Sequence, residues 1–213
     1  MAARQVVAAN LRLSVPHITT THDVIRTEAE YPGFSQFSGL KGAVKVWLLD
    51  QLIRRVHVFV AINQDVNENT IENLPALCRG PCRVVTIPNG INVSPFVNPN
   101  SEDAMQLRKR LSLSEDVYLM GFIGRVKDQK GFLTLMEAID RIAATNTPRP
   151  FHLAVIGRGD CPRRYRQKMA QMPRLAKYVT FLDPIPNIAA TLPKLDLVVM
   201  PSLWDACPLV SQG

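Results

Sequence analysis

The chain has 213 residues, of which 46% are hydrophobic and 20% charged, the balance of an ordinary globular protein with room for one large domain or two small ones. Its four cysteines, Cys78, Cys82, Cys161 and Cys207, show neither CxxC spacing nor a companion histidine pattern, so neither a structural zinc site nor a disulfide framework is implied. The formal charge of +7 comes without any recognised nucleic-acid module, and the longest apolar run, Val56 to Ile62, is far too short to span a bilayer. These features predict a cytoplasmic protein with reduced thiols that takes no nucleic acid.

The first predicted element is a strand over the β-branched segment Ile18 to Thr21, which delivers His22 and Asp23 to its carboxyl end, where α/β proteins keep their chemistry. Glycine, proline and serine between Tyr31 and Gly42 predict a loop. A helix follows, with Val44, Trp47, Leu48, Leu52 and Ile53 on one apolar face, and it runs into a strand over Val56 to Ile62. A helix over Asn67 to Leu77 and a strand over Arg83 to Ile87 complete this half, closed by the Pro88-Asn89-Gly90 turn. Asn, Pro and Ser crowd the stretch from Asn92 to Asp103, which reads as a linker.

After a short helix over Ala104 to Leu111 comes the most informative stretch, LMGFIGRVKDQKGFLTLMEAI. Leu119 to Ile123 predict a buried strand, a polar loop opens at Gly124, and Phe132, Leu135, Met136 and Ile139 fall at helical spacing. In such a unit the helix amino terminus and its N–H groups face the carboxyl end of the strand and favour an anion. Gly124 and Gly131 allow tight turns and close approach to a ligand, while Arg125 offers a planar fork of donors and Lys130 a mobile point charge. Together these suit a phosphate or diphosphate; the simpler alternative is a pair of punctuating glycines among solvated cations. No GxxxxGK[ST] can be written across the loop, so it is not a Walker P-loop.

The pattern repeats. FHLAVIGRGD predicts a strand ending at Gly157 and Gly159, followed by a basic helix near Arg163 to Met172. A strand over Tyr178 to Leu182, a short helix around Ile188 to Leu192 and a strand over Leu197 to Met200 come next. The cations Arg158, Arg163, Arg164, Arg166, Lys168, Arg174 and Lys177 suit an anionic ligand or an acidic membrane surface, and equally a solvated helix face. Alternating strands and helices with short loops predict an α/β fold with two parallel, doubly wound, Rossmann-like halves. Each half offers only three or four strands where about five or six are usual, so both are expected to be incomplete pieces of a larger enzyme.

The ordered segments "TTHDV", "VVTIPNGINVSPF", "GFIGRVKDQKG", "LAVIGRGD", "YVTFLDPIP" and "LDLVVMPSLWDACPLV" resemble the GT-B glycosyltransferases of family four, also called glycosyl transferases group 1. The resemblance covers nearly the whole chain. It implies two domains facing a cleft, residues 1–98 as the second half of an acceptor-side domain and 99–213 as the first part of a nucleotide-sugar donor domain.

By that resemblance Arg125 and Lys130, with Gly124, clamp the diphosphate of a nucleotide sugar, and His22 faces the donor sugar. Asp205 takes the place of the first of the family's two carboxylates, shortened by one methylene; the second falls on Gly213 and is absent. Gly157 and Gly159 match the turn beneath the nucleotide, Asp183 stands in the wall beside the base, and Cys207, Pro208 and Leu209 belong to a segment whose N–H groups approach the sugar and phosphate. The implied activity is retaining transfer of a sugar to an acceptor hydroxyl without a metal or other cofactor. Implied partners are a nucleotide-sugar donor and a carbohydrate or lipid-linked acceptor, in polysaccharide or glycolipid biosynthesis, with peripheral contact at the inner membrane face. A catalytically silent fragment or nucleotide-binding partner subunit is the alternative. A sugar-nucleotide epimerase of the same architecture fits the motifs less closely.

Overall fold

The computed structural model describes residues 15–25, 39–53, 56–97, 107–145, 147, 149–157 and 163–205. They divide into two compact units, one up to Gly90 and the other from Ile91 to Asp205. The expected boundary after residue 98 lies outside the described residues.

In the first unit β1 (Ile18–Thr21), β2 (Val58–Ala61) and β3 (Arg83–Thr86) form a parallel sheet in the order β1-β2-β3. Thr21 stands opposite Ala61, and Ala61 opposite Thr86, so all three strands finish at the same edge. Three helices accompany them: α1 (Gly39–Ile53), α2 (Gln64–Asn73) and α3 (Ala76–Arg79). The side chain of Asn63, just after β2, accepts from Val66 N at 2.7 Å and so starts α2 directly at the strand end. Val56, Phe59, Leu74 and Leu77 pack on one face of the sheet, and Ala61, Ile62 and Val66 form a smaller cluster.

Two expectations for this unit change. The helix of Asn67 to Leu77 is in fact α2 and α3, broken where Pro75 removes a backbone donor. The loop expected through Gly42 ends sooner, because α1 begins at Gly39, whose positive φ of 63° a glycine adopts without strain. On α1 the apolar residues Val44, Trp47 and Leu48 are exposed.

The second unit holds a four-stranded parallel sheet in the order β6-β5-β4-β7, made of β4 (Tyr118–Ile123), β5 (Phe151–Ile156), β6 (Val179–Leu182) and β7 (Leu197–Val198). A single turn, α4 (Ser94–Val97), precedes it, and a helical stretch at 107–110 leads into β4. Every residue of β5 is buried, as expected for a strand covered on both faces. On one face Met120, Phe122, Leu153 and Val155 meet Phe132, Leu135, Met136 and Ile139 of α5 (Phe132–Ala143), together with Tyr165 of α6 (Arg163–Met169) and Leu175 of α7 (Leu175–Tyr178). On the other, Leu119, Ala154, Ile156 and Leu182 pack with Leu107 and with Ile188 of α8 (Ile188–Thr191). Burying each such side chain contributes roughly 1.5–3 kcal/mol before chain entropy is subtracted.

β2, β3, β6 and β7 are shorter than the runs that foretold them, β7 covering two residues of the expected four, whereas β1 has its expected bounds and β4 begins one residue earlier, at Tyr118. Its pairing with β4 is reinforced by Asp196, whose N–H donates to Leu119 O at 2.8 Å while its carboxylate accepts from Leu119 N at 2.7 Å and from Arg108 at 3.0 Å. Three of the clustered basic residues prove to be paired: Arg164 with Asp128, Lys168 with Glu137 and Arg174 with Asp140. No described helix is long and apolar enough to cross a membrane.

Candidate functional site

The site grows from the carboxyl ends of β4 and β5. Gly124 closes β4 with φ +148° and donates its N–H to Ile156 O at 3.0 Å, and Gly157 closes β5 by donating to Leu182 O at 3.1 Å. The two glycines touch. A Cβ on Gly157 would stand 2.0 Å from Gly124 O, so any side chain there would drive the two strand ends apart.

From Gly124 the backbone carries Arg125 outward, buries Val126, exposes Lys127 and then tightens into a 3-10 turn over Asp128–Lys130. Gly131 ends that turn and caps α5 in the left-handed region at φ 62°, donating to Asp128 O at 2.8 Å. A Cβ on Gly131 would lie 1.9 Å from Pro201 O, so this glycine is required by both conformation and space. Because the cap is glycine, no side chain satisfies the first-turn N–H groups of α5, and no acidic residue sits in that turn. Free donors at a 12-residue helix terminus add positive potential where the cations already lie.

The segment after β7 closes the site from the other side. Leu203 donates its N–H to Gln129 O at 2.9 Å, and Trp204 is buried beside it in sequence. Asp205 is thereby delivered to Lys130, whose ammonium forms a charge-assisted hydrogen bond with the Asp205 carboxylate. Both side chains are mostly buried, at 24% and 18% exposure. Arg125, by contrast, is exposed and has no ion-pair partner among the described residues.

Of the residues expected from the sequence, Gly124, Arg125, Lys130, Gly157 and Asp205 therefore meet at one end of this sheet. Asp183 follows β6 directly, on the far side of β5 from that loop. Gly159, Cys207, Pro208 and Leu209 lie outside the described residues. His22 belongs to the first unit, exposed at the end of β1; the backbone after it is tied by Ile25 N to Asn69 Oδ1 of α2 at 2.7 Å and by Asn69 Nδ2 back to Ile25 O at 3.1 Å.

Sequence reasoning missed a second set of residues around the loop. Asp128 accepts from Tyr165 Oη and from Arg164, each at 2.5 Å. Tyr165 is fully buried, and burial, then the bond to Asp128, raises its hydroxyl above the ordinary tyrosine value, which keeps it a donor. Nothing in the sequence marked this contact, because its partners are 37 residues apart and Tyr165 sits among cations that read as a solvated face. As a whole the arrangement offers an exposed guanidinium, an ammonium held by Asp205 and a helix terminus around a strand end. It suits a compact anion of two or more charges.

A sequence model of the Glycosyltransferase Family 4 matches residues 1–95, and one of the Glycosyl transferases group 1 matches residues 118–211. Among full-length relatives, the alpha-maltose-1-phosphate synthase of Mycolicibacterium smegmatis is 23% identical over 211 residues, 95% of this chain and 52% of its own length. The UDP-Gal:alpha-D-GlcNAc-diphosphoundecaprenol alpha-1,3-galactosyltransferase of Escherichia coli is 27% identical over 132 residues, 61% of this chain and 33% of its own. The crystal structure of Anabaena Alr3699/HepE in complex with UDP and glucose superposes with a TM-score of 0.74 at 19% identity, over 98% of this chain and 53% of that one. The chain thus spans about half the length of the M. smegmatis and Anabaena proteins, and its fold is that of the matching part of the Anabaena protein.

Proposed function

This chain belongs to the family-four, group 1 glycosyltransferases, and on that premise we propose that it serves retaining transfer of a sugar from a nucleotide-diphosphate donor to an acceptor hydroxyl. The observation that carries the reading is the loop after β4, where Arg125, Lys130 and the uncapped start of α5 gather positive charge. In the proposed reaction the bond from the anomeric carbon to the diphosphate breaks and the bond to the acceptor oxygen forms on the same face. The acceptor proton goes to an oxygen of the departing diphosphate. Arg125 and Lys130 stabilise the charge that develops on that leaving group and take the place a metal ion would otherwise hold. No cofactor enters the scheme.

In this reading residues 99–213 form the first part of the donor domain and 1–98 the second half of the acceptor side. Asp205 and His22 attend the donor sugar, Gly157 and Gly159 underlie the nucleotide, Asp183 borders the base, and the N–H groups of Cys207, Pro208 and Leu209 approach the sugar and phosphate. UDP is the first nucleotide to test, because the Anabaena protein of like fold was crystallised with it. The E. coli relative's diphosphoundecaprenol-linked acceptor supports a carbohydrate or lipid-linked acceptor, hence polysaccharide or glycolipid assembly at the cytoplasmic face of a membrane. A second reading is favoured by one observation: Lys130 is already engaged by Asp205. It makes the chain a nucleotide-binding partner subunit without activity of its own.

The experiment is a thermal melt of the purified protein alone and with UDP, GDP or ADP, repeated for Arg125→Ala and Lys130→Ala. A nucleotide at about 100 times its dissociation constant should add ~2.7 kcal/mol. A cooperative melt raised by one nucleotide, and no longer raised in either variant, supports the donor site. A melt indifferent to all three overturns it. Release of UDP from UDP-glucose in the presence of acceptor then separates the enzyme from the silent partner.

A further inference from the structure

The loop carrying Arg125, Lys127 and Lys130 also contains an acid, and that acid is out of place. Asp128 opens the 3-10 turn that ends at Lys130. A free carboxylate two residues from the cation meant for a diphosphate repels the ligand and competes for that cation.

The structure shows how the carboxylate is taken out of play. One oxygen accepts from the Tyr165 hydroxyl at 2.5 Å and the other from the Arg164 guanidinium at 2.5 Å. The same guanidinium lies 4.8 Å from the centroid of the Tyr165 ring and donates to its hydroxyl at 3.1 Å. Tyr165 is immobile. It has no exposed surface, and its ring meets Phe132 edge-on at 5.8 Å, while Phe132 in turn meets Phe122 of β4 at 5.6 Å. The hydroxyl is thus fixed relative to both the strand that leads into the loop and the helix that leads out of it.

Fixing Asp128 fixes the rest of the turn. Its carbonyl accepts from Gly131 at 2.8 Å, and Lys130 N donates to Lys127 O at 3.1 Å, so Lys130 has little backbone freedom once Asp128 is held. We propose that Asp128, Arg164 and Tyr165 form a clasp that sets the loop in its anion-binding shape and cancels the one negative charge within it. Tyr165 and Arg164 are positioning residues acting through Asp128, and they touch no part of the ligand. The proposal rests on the reading of this loop as the diphosphate site.

The test is calorimetric titration of pyrophosphate, UDP, GDP and ADP into the wild-type protein and into Tyr165→Phe, Arg164→Gln, Asp128→Asn and the Tyr165→Phe/Asp128→Asn pair. Tyr165→Phe keeps the buried ring and removes only the hydroxyl. Arg164 is 63% exposed, so its replacement leaves the core intact. Tyr165→Phe and Arg164→Gln should each weaken binding of pyrophosphate and of the preferred nucleotide by the same factor, roughly 10-fold, by analogy with the lower end of the loss seen when a partner that orients a metal-ligating side chain is removed. The effects of Asp128→Asn and Tyr165→Phe should not add in the pair, because both act on the Asp128–Tyr165 bond while Asp128→Asn also removes the carboxylate charge and its pairing with Arg164. A clasp that only stabilised the fold would lower the melting temperature and leave these affinities alone. Wild type that binds, with both single variants binding equally well, overturns the clasp and leaves the diphosphate site standing. Wild type that binds none of the four ligands overturns the diphosphate reading, and the clasp with it.

Discussion

Lys130 and Asp205, 75 residues apart in the chain, are joined by an ion pair in which the ammonium donates directly to the carboxylate. The two groups proposed to attend opposite ends of one donor, its diphosphate and its sugar, therefore hold each other. An incoming diphosphate must compete with Asp205 for Lys130. Asp205→Asn should accordingly tighten pyrophosphate and nucleoside-diphosphate binding several-fold, whereas Lys130→Gln should weaken it by about 10-fold or more, the loss of one charge-assisted hydrogen bond at ~1.5–3 kcal/mol. Titration calorimetry reads both, and binding that is no tighter in Asp205→Asn and no weaker in Lys130→Gln would contradict the competition.

Gly131 and Gly157 are the positions where a methyl group should do most damage. Gly131→Ala meets Pro201 O and must also hold a left-handed backbone, which alone costs about 1–2 kcal/mol. Gly157→Ala meets Gly124 O. Both should lower urea-unfolding stability by ~2 kcal/mol or more and weaken nucleotide binding together. Gly90→Ala, with nothing within 4 Å of its added carbon, should stay within about 0.5 kcal/mol of wild type.

His152 is buried in β5, with Nε2 2.9 Å from Thr180 Oγ1. Burial holds its pKa below the ordinary histidine value of 6.5, so the folded protein prefers the neutral ring. The unfolded chain then binds the proton first as pH falls. Its contribution to stability is intact above roughly pH 6.5 and is lost progressively on acidification from there down through the folded-state pKa. Urea midpoints measured from pH 8 to 5 should decline, and His152→Gln, which keeps a polar partner for Thr180 but cannot titrate, should remove this part of the slope.

Asp196 holds the edge of the second sheet in place. Asp196→Ala should leave the buried Leu119 N–H without its acceptor and Arg108 with only the longer pairing to Glu115, at a cost of about 1–3 kcal/mol. Asp196→Asn retains an acceptor for Leu119 and should cost less. Equal losses in the two variants would assign the effect to charge alone.

The central strands were legible in the sequence because a doubly covered parallel strand needs a near-continuous apolar run, and MGFI and LAVI are such runs. The phosphate loop was legible because glycines and cations must stand next to one another in the chain to work at a strand end. What hid from the sequence was contact at a distance. Lys130 and Asp205 each stood out, yet nothing in their spacing announced that they meet. Asp128 and Tyr165 did not stand out at all, since a tyrosine among arginines carries no periodic signal of burial. Pro201 carries no mark either, although its carbonyl is what requires glycine at position 131. Helix limits at Gly39 and Pro75 depended on a single residue's φ or missing donor, which composition averages away.

The chain has two tryptophans, and they fall one in each compact unit. Trp47 on α1 is 60% exposed, while Trp204, next to Asp205, is 8% exposed. Emission from Trp47 should be red-shifted and open to iodide quenching; that from Trp204 should be blue-shifted and shielded. Each unit therefore carries its own optical reporter, and with Trp47→Phe the remaining fluorescence follows the second unit alone as it unfolds or meets an added nucleotide.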